Sequence, residues 1–281
     1  LTPKTKAVIA VHTSGWMCDM DPIMDLARDR GLKVIEDCAQ AHGATYRGRS
    51  VGSIGDISAF SFCQEKIMTT AGEGGMVTTN NAELHERSWS FKDHGKSWEA
   101  VYHREHSTVF KFVHDSLGTN LRMTEVQGAI GRLALRRLDG WVATRRSNAA
   151  VLNERLSGIE GIDVPIPDAH FGHSYYKFYA NLTHDRLISD DSRDEIVRSL
   201  NAEGIPCGSG LCCEIYLEKG LADAGLAPPE RLPNARDLGA RTLMFMVHPT
   251  LNENDMNDIV VSVEKVLRAA PATSHSAARA A

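Results

Sequence analysis

A strand–helix–strand unit near the start of the chain constrains the fold more than any other feature. Ala7 to His12 is a short apolar run with β-branched residues, the length of a buried strand and too short for a helix. Asp21 to Arg30 carries helical periodicity and stops at Gly31, a helix C-terminal signal. Lys33 to Asp37 is a second strand-like run. Two strands joined through a helix of this length can lie parallel, with a right-handed crossover. The unit predicts an α/β architecture.

The rest of the chain extends that reading. Ile57 to Phe62 and Met76 to Thr79 read as further strands, and Asn81 to Phe91 as a helix with an acidic start. Residues 92–120 are polar, rich in His and Lys, and irregular; a loop this long is usually functional or exchanged with a partner. Thr124 to Leu156 is a long helical stretch with Thr124 as its N-cap. Beyond it, Lys177 to Leu182 (strand), Ser192 to Glu203 (helix), Ile205 to Gly208 (strand) and Glu253 to Arg268 (helix) make a smaller α+β unit. The expected domains are 1–145 and 146–268, and the tail 269–281, rich in Ala, Ser and Arg, reads as disordered.

Composition narrows the function classes. At 281 residues the chain can bury a large core, and 42% apolar with 24% charged residues is ordinary for a globular protein. A net charge of -5 with mixed signs along the chain argues against nucleic acid or a polybasic membrane patch. No apolar run reaches membrane-helix length. The cysteines Cys18, Cys38, Cys63, Cys207, Cys212 and Cys213 show no C-x-x-C pairing, which reads as free thiols in a reducing cytoplasm. Cys207, Cys212 and Cys213 with His248 match no common zinc spacing, and His103 with His106 lacks a carboxylate partner, so no metal site is predicted. No G-x-G-x-x-G follows the first strand, which counts against a dinucleotide fold.

The chemistry is carried between Val34 and Val77. Asp37 ends an apolar run, Gln40 follows by three, Ser61 and Lys66 lie five apart, and a glycine-rich turn spans Gly72 to Gly75. In open α/β sheets ligands sit beyond the carboxyl ends of strands, where Asp37 and Ser61 are predicted to fall. A carboxylate, a hydroxyl and an amine there suit pyridoxal 5'-phosphate (PLP). The anion holds the ring nitrogen protonated, the hydroxyl meets the phosphate, and the lysine forms the Schiff base and shuttles the proton. The glycine-rich turn lacks the Walker pattern and reads as the support of Lys66.

The order and spacing of these blocks resemble the DegT/DnrJ/EryC1/StrS family of PLP-dependent sugar aminotransferases, over roughly residues 1 to 268. The resemblance implies the aspartate aminotransferase-like fold of fold-type I: a mainly parallel large domain and a small C-terminal α+β domain. It places Ala39 against the ring face and Gln40 at the phenolic oxygen. Gly118 to Glu125 resembles the family's N-Y-R-M-x-E block, with Leu121 in place of the usual aromatic. That match assigns Asn120 to the phosphate of a neighbouring subunit's cofactor, and so implies a homodimer with shared sites. Arg122, His94 and Lys96 are candidates for the substrate's pyrophosphate.

The implied reaction moves an amino group from glutamate or glutamine to a nucleotide-linked keto sugar in amino-sugar, polysaccharide or antibiotic biosynthesis. Some relatives carry His in place of the lysine and act as dehydratases; Lys66 favours amino transfer. Family members carry a further upstream segment with a phosphate clamp and a stacking aromatic, which have no counterpart here, so the chain reads as N-terminally truncated. The alternatives left open are a non-catalytic subunit that only dimerises and a related PLP sugar dehydratase.

Overall fold

A computed structural model of the chain describes residues 1–106, 108, 112–189 and 191–270. The chain forms two compact units. Leu1–Val142 with Pro167–Tyr176 make the first, and Ala143–Ile166 with the chain from Lys177 onward make the second. A single cut at 145 misses the return of Pro167–Tyr176 to the first unit, because no local pattern marks it.

The first unit begins with β1 (Ala7–Val11), α1 (Met20–Arg30) and β2 (Lys33–Asp37), with β1 and β2 parallel in the register Ala7↔Lys33 to Val11↔Asp37. Gly31 caps α1 in the left-handed conformation at φ 62°, where a glycine lacks the Cβ penalty. A hairpin of β3 (Thr45–Tyr46) and β4 (Arg49–Ser50) follows, too short to have been read from the sequence. Next come β5 (Ile57–Ser61), parallel to β2, and β6 (Gly75–Thr78), antiparallel to β5. The resulting order is β1-β2-β5-β6. The expected parallel sheet thus ends in one antiparallel strand.

Ala10, Val34 and Cys38 bury one sheet face with Met20 and Ala27 of α1. On the opposite face of β1, Ile9 is 62% and Val11 49% exposed. The expectation of a fully buried first strand is therefore corrected: β1 alternates, with Ala10 inside and its neighbours outside.

α2 (Ala82–Lys92) starts at Asn81, whose side chain accepts from Leu84 N–H at 3.0 Å. Among the described residues the long polar loop contains one short helix, α3 (Trp98–Tyr102), and is closed on itself by the bridges Asp93↔Asn120 and Lys96↔His114. α4 (Glu125–Leu156) is capped by Thr124, whose hydroxyl accepts from Gln127 N–H at 3.3 Å.

β7 (Ile162–Asp163) belongs to the second unit, while β8 (Phe171–Gly172) pairs with β3 in the first. The second unit continues with β9 (Phe178–Leu182), α5 (Ser192–Ala202), β10 (Cys207–Gly208), α6 (Lys219–Asp223), α7 (Pro233–Arg241), β11 (Thr242–Phe245) and α8 (Glu253–Ala269). Its sheet is antiparallel, ordered β10-β11-β9-β7. α8 is opened by a capping box of Asn252 and Asp255. It buries Met256, Ile259, Val260, Val263, Val266 and Leu267, spaced as one apolar stripe, and packs against α5. The helix includes Ala269, the first residue of the expected tail; 271–281 lie outside the described residues.

Candidate functional site

The parallel pairing of β2 and β5 sets Asp37 opposite Ala59, so Ser61 lies just beyond it along the same strand direction. Asp37, Ala39, Gln40, Ser61 and Lys66 therefore follow or end two neighbouring parallel strands, at their carboxyl ends. This is where an open α/β sheet offers a ligand site. Asp37 Oδ1 accepts from Ala39 N–H at 3.0 Å, a local turn that fixes the carboxylate at the strand end. Gln40 Oε1 accepts from Ser14 N–H at 2.8 Å, which leaves its amide NH2 as the donor end. Ser61 Oγ accepts from Cys63 N–H at 3.4 Å.

Lys66 sits on the loop between β5 and β6. Its N–H donates to Cys63 O at 3.1 Å, and the next two residues, Ile67 and Met68, are buried anchors. The loop is tied at its base: Phe62 N–H donates to Gly74 O at 2.8 Å, and Thr70 N–H to Phe62 O at 3.1 Å. Gly74 is required there, because a Cβ would stand 2.3 Å from Thr70 Oγ1. The glycine-rich turn thus closes the base of the loop that carries Lys66. Lys66 Nζ lies 5.3 Å from the centroid of the Tyr176 ring.

The other candidates gather elsewhere in the first unit. Asn120 Oδ1 accepts from Arg122 N–H at 3.3 Å and from Arg122 Nε at 3.2 Å. Arg122 and Lys96 both pair with Asp93, at 3.1 and 3.2 Å. His94 is exposed, with its backbone left-handed at φ 62° and its N–H donating to Thr119 O. Asn120, Arg122 and Lys96 therefore form one constellation around Asp93. The sequence reading missed Asp93.

Two further buried groups escaped the sequence. Glu36, on the inner sheet face, accepts from His12 Nε2 at 3.0 Å and from the N–H groups of Gly52, Ile54 and Gly55 at 2.9, 2.7 and 2.6 Å. Burial alone would raise its carboxyl, but these donors hold it below the ordinary glutamate value. Its position in the alternation of Val34 and Glu36 was the available signal. Cys38 comes near the same pair, and His12, Glu36 and Cys38 offer ligand atoms within 4.8 Å of one another. Both Glu36 oxygens are engaged by donors, and burial, then the charges of Glu36 and Asp37, push the Cys38 thiol up. The group is a structural hub that pins the loop before β5.

His42 is buried between Phe60 and Phe62, at ring-centroid distances of 5.6 and 5.9 Å. Burial, and then the charge of Lys66, lower its pKa to about 4, so the imidazole is neutral at neutral pH.

Among the described residues no helix is long and apolar enough to cross a membrane. Comparison with known proteins places these features in context. The chain is 49% identical to an aminotransferase of Psychrobacter cryohalolentis whose structure is solved, with a TM-score of 0.90 over 96% of this chain and 70% of that one. It is 32% identical to DesV of S. venezuelae, solved in complex with a ketimine intermediate, with a TM-score of 0.81 over 94% and 66%. Among curated relatives, GDP-perosamine synthase of Escherichia coli O157:H7 is 40% identical over 94% of this chain and 66% of its own length. A UDP-N-acetyl-3-dehydro-alpha-D-glucosamine 3-aminotransferase of Acidithiobacillus ferrooxidans is 36% identical over 95% and 66%. The chain spans about two thirds of the length of the curated relatives it matches. The shared architecture is that of fold-type I. The model of one family matches residues 1–264, and the chain belongs to that family, the DegT/DnrJ/EryC1/StrS aminotransferases.

Proposed function

We propose for the chain a PLP-dependent aminotransferase activity that moves an amino group from glutamate or glutamine to a keto sugar carried on a nucleotide. The observation that carries this reading is the placement of Asp37 and Ser61 at the carboxyl ends of the neighbouring parallel strands β2 and β5, with Lys66 on the loop that follows β5. The relatives named for UDP-, dTDP- and GDP-linked sugars support the substrate class, and those named for spore coat polysaccharide and erythromycin biosynthesis support the setting.

The donor set fits the cofactor, which when bound supplies an electron sink for the carbanion at the substrate carbon. Asp37 would face the ring nitrogen. Gln40, with Oε1 engaged by Ser14, would turn its NH2 to the phenolic oxygen. Ala39 is small enough to lie against the ring, and Ser61 would donate to the phosphate. Lys66 Nζ would carry the cofactor and move the proton at the substrate carbon. Lys96 and Arg122, already paired with Asp93, would meet an anionic substrate only in competition with that carboxylate. His94 lies on the same segment.

Asn120 would reach the phosphate of a partner subunit, in a homodimer with shared sites. Exposed apolar residues of the 112–121 segment support such an interface: Phe112 is 87% and Leu117 95% exposed. Six free thiols support a reducing, cytoplasmic setting.

The test is direct. The purified chain is incubated with PLP, reduced with borohydride, and the modified peptide is mapped by mass spectrometry. Modification at Lys66, lost in Lys66→Arg, is expected. Modification spread over exposed lysines, or none at all, would overturn the reading.

A further inference from the structure

We propose that Tyr176 is a positioning residue for the Lys66 amine, and that the turn at Ser14 joins it to the Gln40 side of the site. A set of contacts within the first unit carries this.

Lys66 Nζ stands 5.3 Å from the Tyr176 ring centroid, within the range in which an aromatic face attracts an ammonium. The ring is 7% exposed and packs with Ile67, the residue after Lys66, and Val142 in one buried cluster. Tyr176 N–H donates to Ser14 O at 2.9 Å, and Ser174 N–H donates to Gly15 O at 3.0 Å. These two bonds fasten the returning segment to the turn after β1. Ser14 N–H donates to Gln40 Oε1 at 2.8 Å. One residue, Ser14, therefore holds Gln40 through its N–H and Tyr176 through its C=O.

The backbone of this turn is demanding. Ser14 is left-handed at φ 60°, ψ 12°, which costs a non-glycine residue free energy and persists only where the surroundings enforce it. Gly15 has φ 97°, and a Cβ there would lie 2.6 Å from Ser174 Oγ and 2.8 Å from Tyr175 N. The strain has a local consequence: the turn comes close enough to Ser174–Tyr176 to fix the height of the Tyr176 ring against the Lys66 loop.

An aromatic face suits a lysine that must change its bonding. A carboxylate would hold the ammonium as a fixed ion pair. A ring face restricts where Nζ points while the amine is charged, and loses its hold when the amine gives up its proton. The inference rests on Lys66 as the cofactor-bearing lysine for its meaning, but the placement can be measured without cofactor.

The full chain is reductively methylated with ¹³C-formaldehyde, which leaves each lysine positively charged. The Lys66 dimethyl resonance is identified by its absence in Lys66→Arg. In the wild type an upfield ring-current shift relative to the exposed lysines is expected. Tyr176→Phe keeps it; Tyr176→Leu removes it, and lowers borohydride capture of PLP at Lys66 several-fold. A Lys66 resonance that coincides with the exposed lysines in the wild type overturns the proposal, and this holds even if Tyr176→Leu does not fold. A shift that survives in folded Tyr176→Leu also overturns it. If the shift is present but PLP is never captured at Lys66, the cofactor reading fails while the placement by Tyr176 stands.

Discussion

Asp93 accepts from the Arg122 guanidinium at 3.1 Å across 29 residues of chain, and the same oxygen, Oδ1, lies 3.2 Å from Lys96 Nζ. Burial would raise this carboxyl, but Lys96 first, then Arg122 and Lys92, hold it below the usual aspartate value. The pairing closes the loop that leaves α2 and re-enters the chain ahead of α4. Arg122 is half exposed, so solvent screens the attraction. A double-mutant cycle of Asp93→Asn and Arg122→Gln is expected to give a coupling below about 1 kcal/mol that shrinks as salt is added. A coupling that is salt-independent, or zero at low salt, would show that the contact does not hold the loop.

Glu36 is the opposite case, a carboxylate removed from water and met by four donors. Glu36→Gln keeps the shape but turns an NH2 group toward donors that need an acceptor. A loss of about 3 kcal/mol is expected, read as a lower urea midpoint with unchanged m-value. The wild-type contribution is present above the unfolded glutamate pKa of about 4.3 and is lost as pH falls through the lower folded value. A midpoint shift smaller than about 1 kcal/mol would mean that the hub does not stabilise the fold.

His42 acts in the same direction, but its stabilisation is lost over a higher pH range. Its folded pKa of about 4 lies below the ordinary value of 6.5, so the unfolded chain takes up the proton first as pH falls. Stability should therefore decline from pH 6.5 down to about 4, by at most about 3 kcal/mol from this group. His42→Leu, which keeps an apolar side chain between Phe60 and Phe62, should flatten that part of the profile relative to wild type. Parallel pH–stability curves for the two proteins would refute the assignment.

The sequence made the proposed site legible because its residues are local. Asp37 and Ser61 end the short strands β2 and β5, and Gln40 and Lys66 follow them within three and five residues, so each pair is read from a short stretch of chain. The long helices were equally plain, since apolar periodicity and a capping residue such as Thr124 are read within one or two turns. What escaped was non-local. Asp93 gains meaning only when Arg122 returns to it, and Tyr176 lies far from both Ser14 and Lys66 in the chain. The exposure of Ile9 and Val11 was also hidden. A β-branched run reports strand character, but nothing in it says which face is covered.

Gly74 offers the most selective test of how Lys66 is supported. An added Cβ would meet Thr70 Oγ1 at 2.3 Å. Thr70 cannot easily yield, because it is buried, its hydroxyl donates to Glu73 O at 3.2 Å, and its N–H donates to Phe62 O. Glu73 O is held in turn by Gln127 Nε2 at 2.6 Å. Gly74→Ala is therefore expected to cost about 1–3 kcal/mol through overpacking and to reduce borohydride capture of PLP at Lys66 by displacing the loop. Gly220→Ala is the control: it sits in α6 with nothing within 4 Å of the added Cβ, so helix propensity predicts a gain of up to about 1 kcal/mol. Thr70→Ala in the Gly74→Ala background should cost less than the sum of the two single changes, since it removes the atom that the new methyl strikes. Strict additivity, or equal behaviour of Gly74→Ala and Gly220→Ala, would show that the glycine-rich turn does not set the position of Lys66.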